Sequence, residues 1–299
     1  MTRLLILAVA IGLLLPDFAS FLRPLLYPSL FAIMVFTLIQ IDLLKLSHAL
    51  GRDTLKVAFI SAIQMLLVPV AIGLVFRVVA PAPVFALPVI LVTAAGSMFG
   101  TPAIAVLLGF TGRFTLLGVL VSTALLPLSL PLVWMVYTGD MLQMELSTYG
   151  FRLFLYIVLP ALIAWVYRLA SRSGIRLPGE DSMKLGAVIG LAIFAIAIMD
   201  GVTERLFKEP ELVFGLIVLA FVLHFGLFSL TRIFSRSLDP AISVEASLLS
   251  AFRNIGLIIA ISGPYLPSDF FLFAGVWQIP MYLSPWLFQR FLRFPKQHV

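Results

Sequence analysis

The chain has 299 residues, of which 62% are apolar and 11% charged, and its mean hydropathy is +1.13. A soluble domain is nearer half apolar and a quarter charged, so this composition cannot close around one water-soluble core; it describes an integral membrane protein. There is no cysteine, which removes disulfides, thiolate metal sites and cysteine nucleophiles. The three histidines, His48, His224 and His298, are too scattered for a metal centre.

The apolar runs are long and continuous rather than short and alternating, which points to helices and away from a membrane β-barrel. At roughly 30 residues for each span and its connection, the length accommodates about ten helices and no extra soluble domain. Runs bounded by Pro, Gly and charge predict helices near 3–15, 22–41, 55–78, 86–108, 114–137, 149–170, 183–200, 210–234, 240–262 and 268–292. The first is short and follows Met1-Thr2-Arg3, a pattern shared with signal peptides. It is read here as a retained helix.

With the N-terminus placed in the cytoplasm, 14 of the 20 Lys and Arg residues fall on inner segments, 5 on outer ones, and Arg253 within a span. That bias predicts a multi-pass protein of the bacterial-type inner (cell) membrane with both termini in the cytoplasm. The net charge of +6 is therefore topological, and no nucleic-acid partner is expected. No GxGxxG, GxxxxGK[ST] or HExxH motif is present, so ATP hydrolysis is not expected. A membrane-embedded enzyme would need a cluster of acids or histidines at the membrane face, and with none in the sequence neither an enzyme nor a cofactor is expected. The outer acids Asp17, Asp140, Glu145, Asp200, Glu204, Glu209, Glu211 and Asp269 read as a solvated face.

Five helices starting inside and five starting outside form two halves of inverted topology, 1–147 and 148–299. What repeats between them is an interruption. The fourth helix carries Thr93-Ala94-Ala95-Gly96-Ser97-Met98-Phe99-Gly100-Thr101-Pro102, and the ninth carries Glu245 through Ser250-Ala251-Phe252-Arg253-Asn254-Ile255-Gly256. Gly and Pro break the hydrogen-bond ladder, and the freed backbone groups must line a cavity or be buried in protein. Paired broken helices in an inverted repeat point to a transporter site near the bilayer midplane.

Arg253 is the sharpest single feature, because a charge at the centre of a span costs roughly 2.5–3.5 kcal/mol on insertion scales. Two readings stand: a fixed charge facing a substrate cavity, or an arginine paired with Glu245 or with carbonyls freed by the fourth-helix break. Glu245 reads either as an inner-layer carboxylate or as a proton or charge partner. Asn254 reads as a substrate ligand or a half-helix cap. Gln64, in the middle of the third helix, is an inter-helix hydrogen bond or a ligand. Thr101 offers a hydroxyl at the first break, while Ser122 and Thr123 precede Pro127 and more often bond back to their own helix. His224 is a proton relay or a packed, neutral residue.

Several segments resemble the bile acid:sodium symporter family in its bacterial ten-helix form. Pro24-Leu25-Leu26 through Met34-Val35-Phe36-Thr37-Leu38 looks like the family's second helix, and Ala62-Ile63-Gln64-Met65 through Val68-Pro69 like its third. Val121-Ser122-Thr123-Ala124-Leu125-Leu126-Pro127 with Pro131 is similar to its fifth, and Phe252-Arg253-Asn254-Ile255-Gly256-Leu257 to its ninth. The order and spacing of these segments carry the likeness. It implies an all-α membrane protein of ten helices in two inverted five-helix repeats. It also implies broken, crossed fourth and ninth helices, and panel and core units interleaved between the repeats. The function implied is transport of an organic anion by alternating access, with substrate near Phe99, Thr101, Arg253 and Asn254.

The family's sodium ligands carry over poorly. Their equivalents are Gln64, Thr101, Thr123, Leu249 and Arg253, with Pro102 and Val119 where an amide and a hydroxyl are expected. Leu249 stands in place of a carboxylate and Arg253 in place of a glutamine, unless a register shift brings Glu245 into the role. A guanidinium repels sodium at short range. Arg253 is therefore expected to be a permanent substitute for a cation, which speaks against sodium coupling. The expected partners are an organic anion and the bilayer, with the chain as a monomer. An efflux carrier of another organic anion and a non-transporting anion sensor are the alternatives.

Overall fold

Lipid offers no hydrogen bonds, so a spanning chain satisfies its N–H and C=O groups within itself. The computed structural model describes residues 2–41, 52–138 and 145–291, and these are helical almost throughout. Among the described residues the only extended pairing is a single bridge between Ser97 and Arg253. His48, Asp140 and His298 lie outside the described residues.

Among the described residues six helical runs are long and apolar enough to cross a membrane: Pro16–Gln40, Thr54–Val79, Arg113–Thr138, Leu146–Arg172, Glu180–Lys208 and Pro210–Phe234. The chain is a multi-pass membrane protein. In chain order the helices are α1 (Thr2–Leu14), α2 (Pro16–Leu22), α3 (Leu26–Gln40), α4 (Arg52–Ala62), α5 (Val68–Val79) and α6 (Pro83–Ala94). Then follow α7 (Thr101–Leu107), α8 (Arg113–Thr138), α9 (Leu146–Leu153), α10 (Leu159–Arg172) and α11 (Glu180–Ala197). The last are α12 (Val202–Lys208), α13 (Pro210–Phe234), α14 (Pro240–Ala251), α15 (Ile255–Ser262) and α16 (Ser268–Phe291).

The helices fall where the apolar runs lie, with three refinements. Helix resumes at Pro16, not near 22: Pro16 pre-sets the first turn, Asp17 complements it, and a 3₁₀ turn at Arg23–Leu25 accommodates Pro24. The run expected over 183–200 starts earlier, at Glu180, and ends at Ala197; Gly201, whose φ of 78° is open to glycine at little cost, then leads into the short helix Val202–Lys208. Two wide turns, Ile63–Leu67 and Phe154–Val158, precede Pro69 and Pro160. A proline lacks the N–H that its preceding turn needs, and the backbone shifts there to an i→i−5 bond.

The chain divides into two compact units, each taking segments from both halves of the sequence: 2–41, 145–213 and 256–279 in one, and 52–138, 214–255 and 280–291 in the other. In the first unit α3 and α11 pack closely because Gly186 and Gly190 present no side chain. A Cβ on Gly186 would lie 2.8 Å from the Phe36 ring, and one on Gly190 would lie 3.0 Å from Ile33. Small residues four apart let helices approach in lipid. Arg168 donates to the carbonyls of Leu38, Ile39 and Ile41 at the end of α3. Arg152 donates to the Ala260 carbonyl at 2.8 Å, an oxygen that Pro264 cannot serve because it has no N–H. The same guanidinium lies over the Tyr27 ring, 5.9 Å from its centre. Asp200 pairs with Arg23, and Asp269 and Glu209 pair with Arg205.

Gly186→Leu is expected to force α3 and α11 apart and cost about 1–3 kcal/mol, the range for an overpacked core. A thermal melt of the purified protein in detergent reads this as a lower midpoint, whereas Leu185→Ala on the exposed side of α11 (Leu185 is 60% exposed) leaves it nearly unchanged.

Candidate functional site

The second unit contains both halves of the first interruption and the near half of the second. Helix α6 stops at Ala94, residues 95–100 run without helix, and α7 starts at Thr101 behind Gly100. Helix α14 stops at Ala251, and Phe252-Arg253-Asn254 leads out of it. The two non-helical stretches meet. Met98 N–H donates to the Phe252 carbonyl at 2.7 Å, and Asn254 N–H donates to the Gly96 carbonyl at 2.8 Å. Each break thus supplies what the other lacks.

Side chains complete the pairing. Ser97 Oγ donates to the Leu249 carbonyl at 2.6 Å, while Ser97 N–H donates to Ser122 Oγ on α8 at 3.0 Å. Ser129 Oγ donates to the Ala94 carbonyl at 3.2 Å. Gly96 runs so close to α8 that a Cβ there would lie 3.2 Å from the Ser122 carbonyl.

Arg253 sits at the centre and is 2% exposed. Its Nε donates to the Ser250 carbonyl at 2.7 Å, its Nη1 to the Ala95 carbonyl at 2.8 Å, and its Nη2 approaches Ser250 Oγ at 3.5 Å. These carbonyls belong to the C-terminal ends of α6 and α14. A helix C-terminus carries about half a negative charge, so two of them partly offset one guanidinium. Among the described residues Arg253 has no carboxylate partner. Of the partners open to it from sequence, the structure has the carbonyls freed by the breaks and not Glu245.

Glu245 is also buried, at 3% exposure, but it is used elsewhere. Its Oε2 accepts from Thr115 N–H at 3.0 Å and Thr115 Oγ1 at 3.3 Å, and its Oε1 from Thr111 Oγ1 at 3.5 Å. The carboxylate caps the first turn of α8, where free N–H groups and the positive end of the helix favour a negative charge.

The other sequence-predicted residues divide. Gln64 Nε2 donates across to the Ala246 carbonyl at 3.2 Å. Thr101 Oγ1 bonds the Met98 carbonyl at 2.7 Å, at the end of the break that holds Phe99. Thr123 Oγ1 bonds back to Val119 at 2.7 Å, and Ser122 Oγ to the same carbonyl at 3.1 Å. Asn254 joins the pair through its backbone and is partly exposed. His224 is fully buried, with Nε2 2.8 Å from Ser284 Oγ and its ring edge-on to Phe252 at 5.0 Å. It stands directly behind the second break.

Of the residues that the resemblance would put at a cation site, Leu249 and Arg253 offer no oxygen to an ion. Leu249 is 1% exposed and wedges into α8 at Gly118, where a Cβ would lie 2.2 Å from Leu249 Cδ1. A hydrocarbon fills that place, and a guanidinium already holds the carbonyls beside it. Sodium needs several oxygen ligands free to turn toward it. Sequence reasoning missed Gly118, whose role as the floor under Leu249 has no local signal. It also missed the Ala95 carbonyl, because any residue has one.

No protein-family model and no curated protein matches the chain.

Replacing Arg253 by Met is expected to leave the Ala95 and Ser250 carbonyls without donors, at about 1–3 kcal/mol each. Glu245→Ala should cost about 1–3 kcal/mol by orphaning the start of α8, and Glu245→Gln less, because its amide oxygen still accepts from Thr115. Melting in detergent ranks the variants. Arg253→Met melting no lower than wild type would count against the cradle.

Proposed function

We propose that the chain is a secondary transporter of a small or amphipathic organic anion, similar in architecture to the bile acid:sodium symporters but not driven by sodium. In this reading ten helices form two inverted five-helix repeats, 1–147 and 148–299, with the α6–α7 and α14–α15 spans as their crossed, broken members. Both termini lie in the cytoplasm, and the protein sits in the cell membrane.

The observation that carries the reading is the meeting of the two interruptions around Arg253. Interrupted helices are costly in lipid and are tolerated where they build a polar site inside protein. In such carriers, unwound carbonyls and half-helix C-termini are the groups that hold a coupling cation. Here the Ala95 and Ser250 carbonyls at the ends of α6 and α14 hold the Arg253 guanidinium. Arginine stays protonated at any physiological pH, so the carrier contains its own cation. That positive charge, with Thr101, Phe99 and Asn254 along the same breaks, favours an anionic substrate.

Counterflow into proteoliposomes tests transport directly, with taurocholate, pantoate and 2-oxoisovalerate as probes: accumulation of label against a preloaded unlabelled anion is expected for at least one. The missing sodium site has a separate readout. Melting in sodium chloride and in choline chloride at equal ionic strength is expected to give the same midpoint, since a ligand bound only by the folded state would raise it. A sodium-specific rise would show that a sodium site survives.

A further inference from the structure

We propose that this carrier is an obligate exchanger of monovalent organic anions, one anion crossing only in return for another, because Arg253 gives the empty site a positive charge it cannot release. The inference rests on the transporter reading above and concerns its cycle.

Arg253 is 2% exposed, and its contacts are the neutral oxygens of Ser250 and Ala95. Glu245, on the half-helix that precedes it, does not neutralise it. The two are eight residues apart, of which the six steps to Ala251 are helical and span about 9 Å of axis, and Glu245 is bound by Thr115 and Thr111 at the start of α8. Helix ends and carbonyls lower the energy of the guanidinium, but a set of dipoles brings no net charge. The region therefore keeps a full unit of positive charge whenever nothing is bound.

A carrier that uses a dissociating cation escapes this difficulty. It releases the ion with its substrate, and the emptied site returns without surplus charge. A tethered guanidinium cannot leave. To reorient empty, the site would have to close around an uncompensated charge, and a lone buried charge is among the most unfavourable states in a membrane protein. A bound monoanion cancels the charge, so the loaded site closes readily. A dianion would leave one negative charge in place of one positive, which selects for singly charged substrates. The exchange moves equal charge in both directions and is electroneutral.

The full chain in proteoliposomes, loaded with labelled taurocholate, pantoate or 2-oxoisovalerate, provides the test. Label is expected to leave about tenfold or more faster into buffer containing the same unlabelled anion than into anion-free buffer, the ratio set by the penalty on the empty form. A membrane potential imposed with valinomycin should leave the exchange rate unchanged. Arg253→Lys, which keeps a fixed charge, should preserve the ratio, and Arg253→Gln should bring it toward one. Wild-type efflux as fast into anion-free buffer as in exchange would overturn the proposal and leave the transporter reading standing. No protein-dependent flux of any of the three probes in either mode would overturn the transporter reading and this inference with it. The wild-type ratio decides the matter even if Arg253→Gln fails to fold.

Discussion

Every backbone amide and carbonyl that leaves a helix inside a bilayer must find a partner in the protein, and the second unit is organised around meeting that demand at one place. Two helices are interrupted there, and neither interruption would be stable alone. Set antiparallel, they exchange bonds through Met98, Phe252, Asn254 and Gly96. The hydroxyls of Ser97 and Ser129 take the oxygens left over, at Leu249 and Ala94. What hydroxyls do not cover falls to Arg253, whose planar fork reaches carbonyls at the ends of two helices at once. The charge in the middle of the membrane is thus part of the hydrogen-bond accounting before it is anything else.

The surrounding packing follows from that centre. Leu249 fits over Gly118 on α8, and Gly96 lies against the backbone at Ser122, so α8 acts as a wall along which both breaks are aligned. Glu245 fixes the start of the same helix through Thr115. His224 supports the far side against Phe252 while its Nε2 meets Ser284 on α16. Glu245 and Arg253 each act at a helix end or a break, where backbone groups are short of partners, and each is bonded there by hydroxyl or main-chain groups.

Much of this was legible in the sequence, and the limits have a physical cause. Long apolar runs and their Pro, Gly and charged boundaries place the helices, and the clusters at 93–102 and 250–256 mark where two of them break. Residue types announce those features. Partners are less visible. Opposite charges at Glu245 and Arg253 suggest a pair, but regular helix runs from Glu245 to Ala251 and carries the break that holds Arg253 away from the carboxylate. Each then bonds to main chain, and main-chain groups are the same for every residue type. The helical segment at Pro16–Leu22 was also hidden, since its Pro and Asp read as a loop until they are seen as the opening turn of a helix. Gly118 carries no mark of its role, because fitting Leu249 depends on a shape that only the assembled helices create.

In the first unit, the bond from Arg152 to the Ala260 carbonyl ties the evolution of two distant positions together. Proline at 264 leaves that oxygen without a helical donor, and the arginine supplies one. Losing Arg152 first strands a buried acceptor; losing Pro264 first lets the backbone serve the oxygen itself and leaves the arginine free to drift. The two changes are unequal in cost according to their order. A lineage can abandon this arrangement smoothly only by giving up the proline before the arginine.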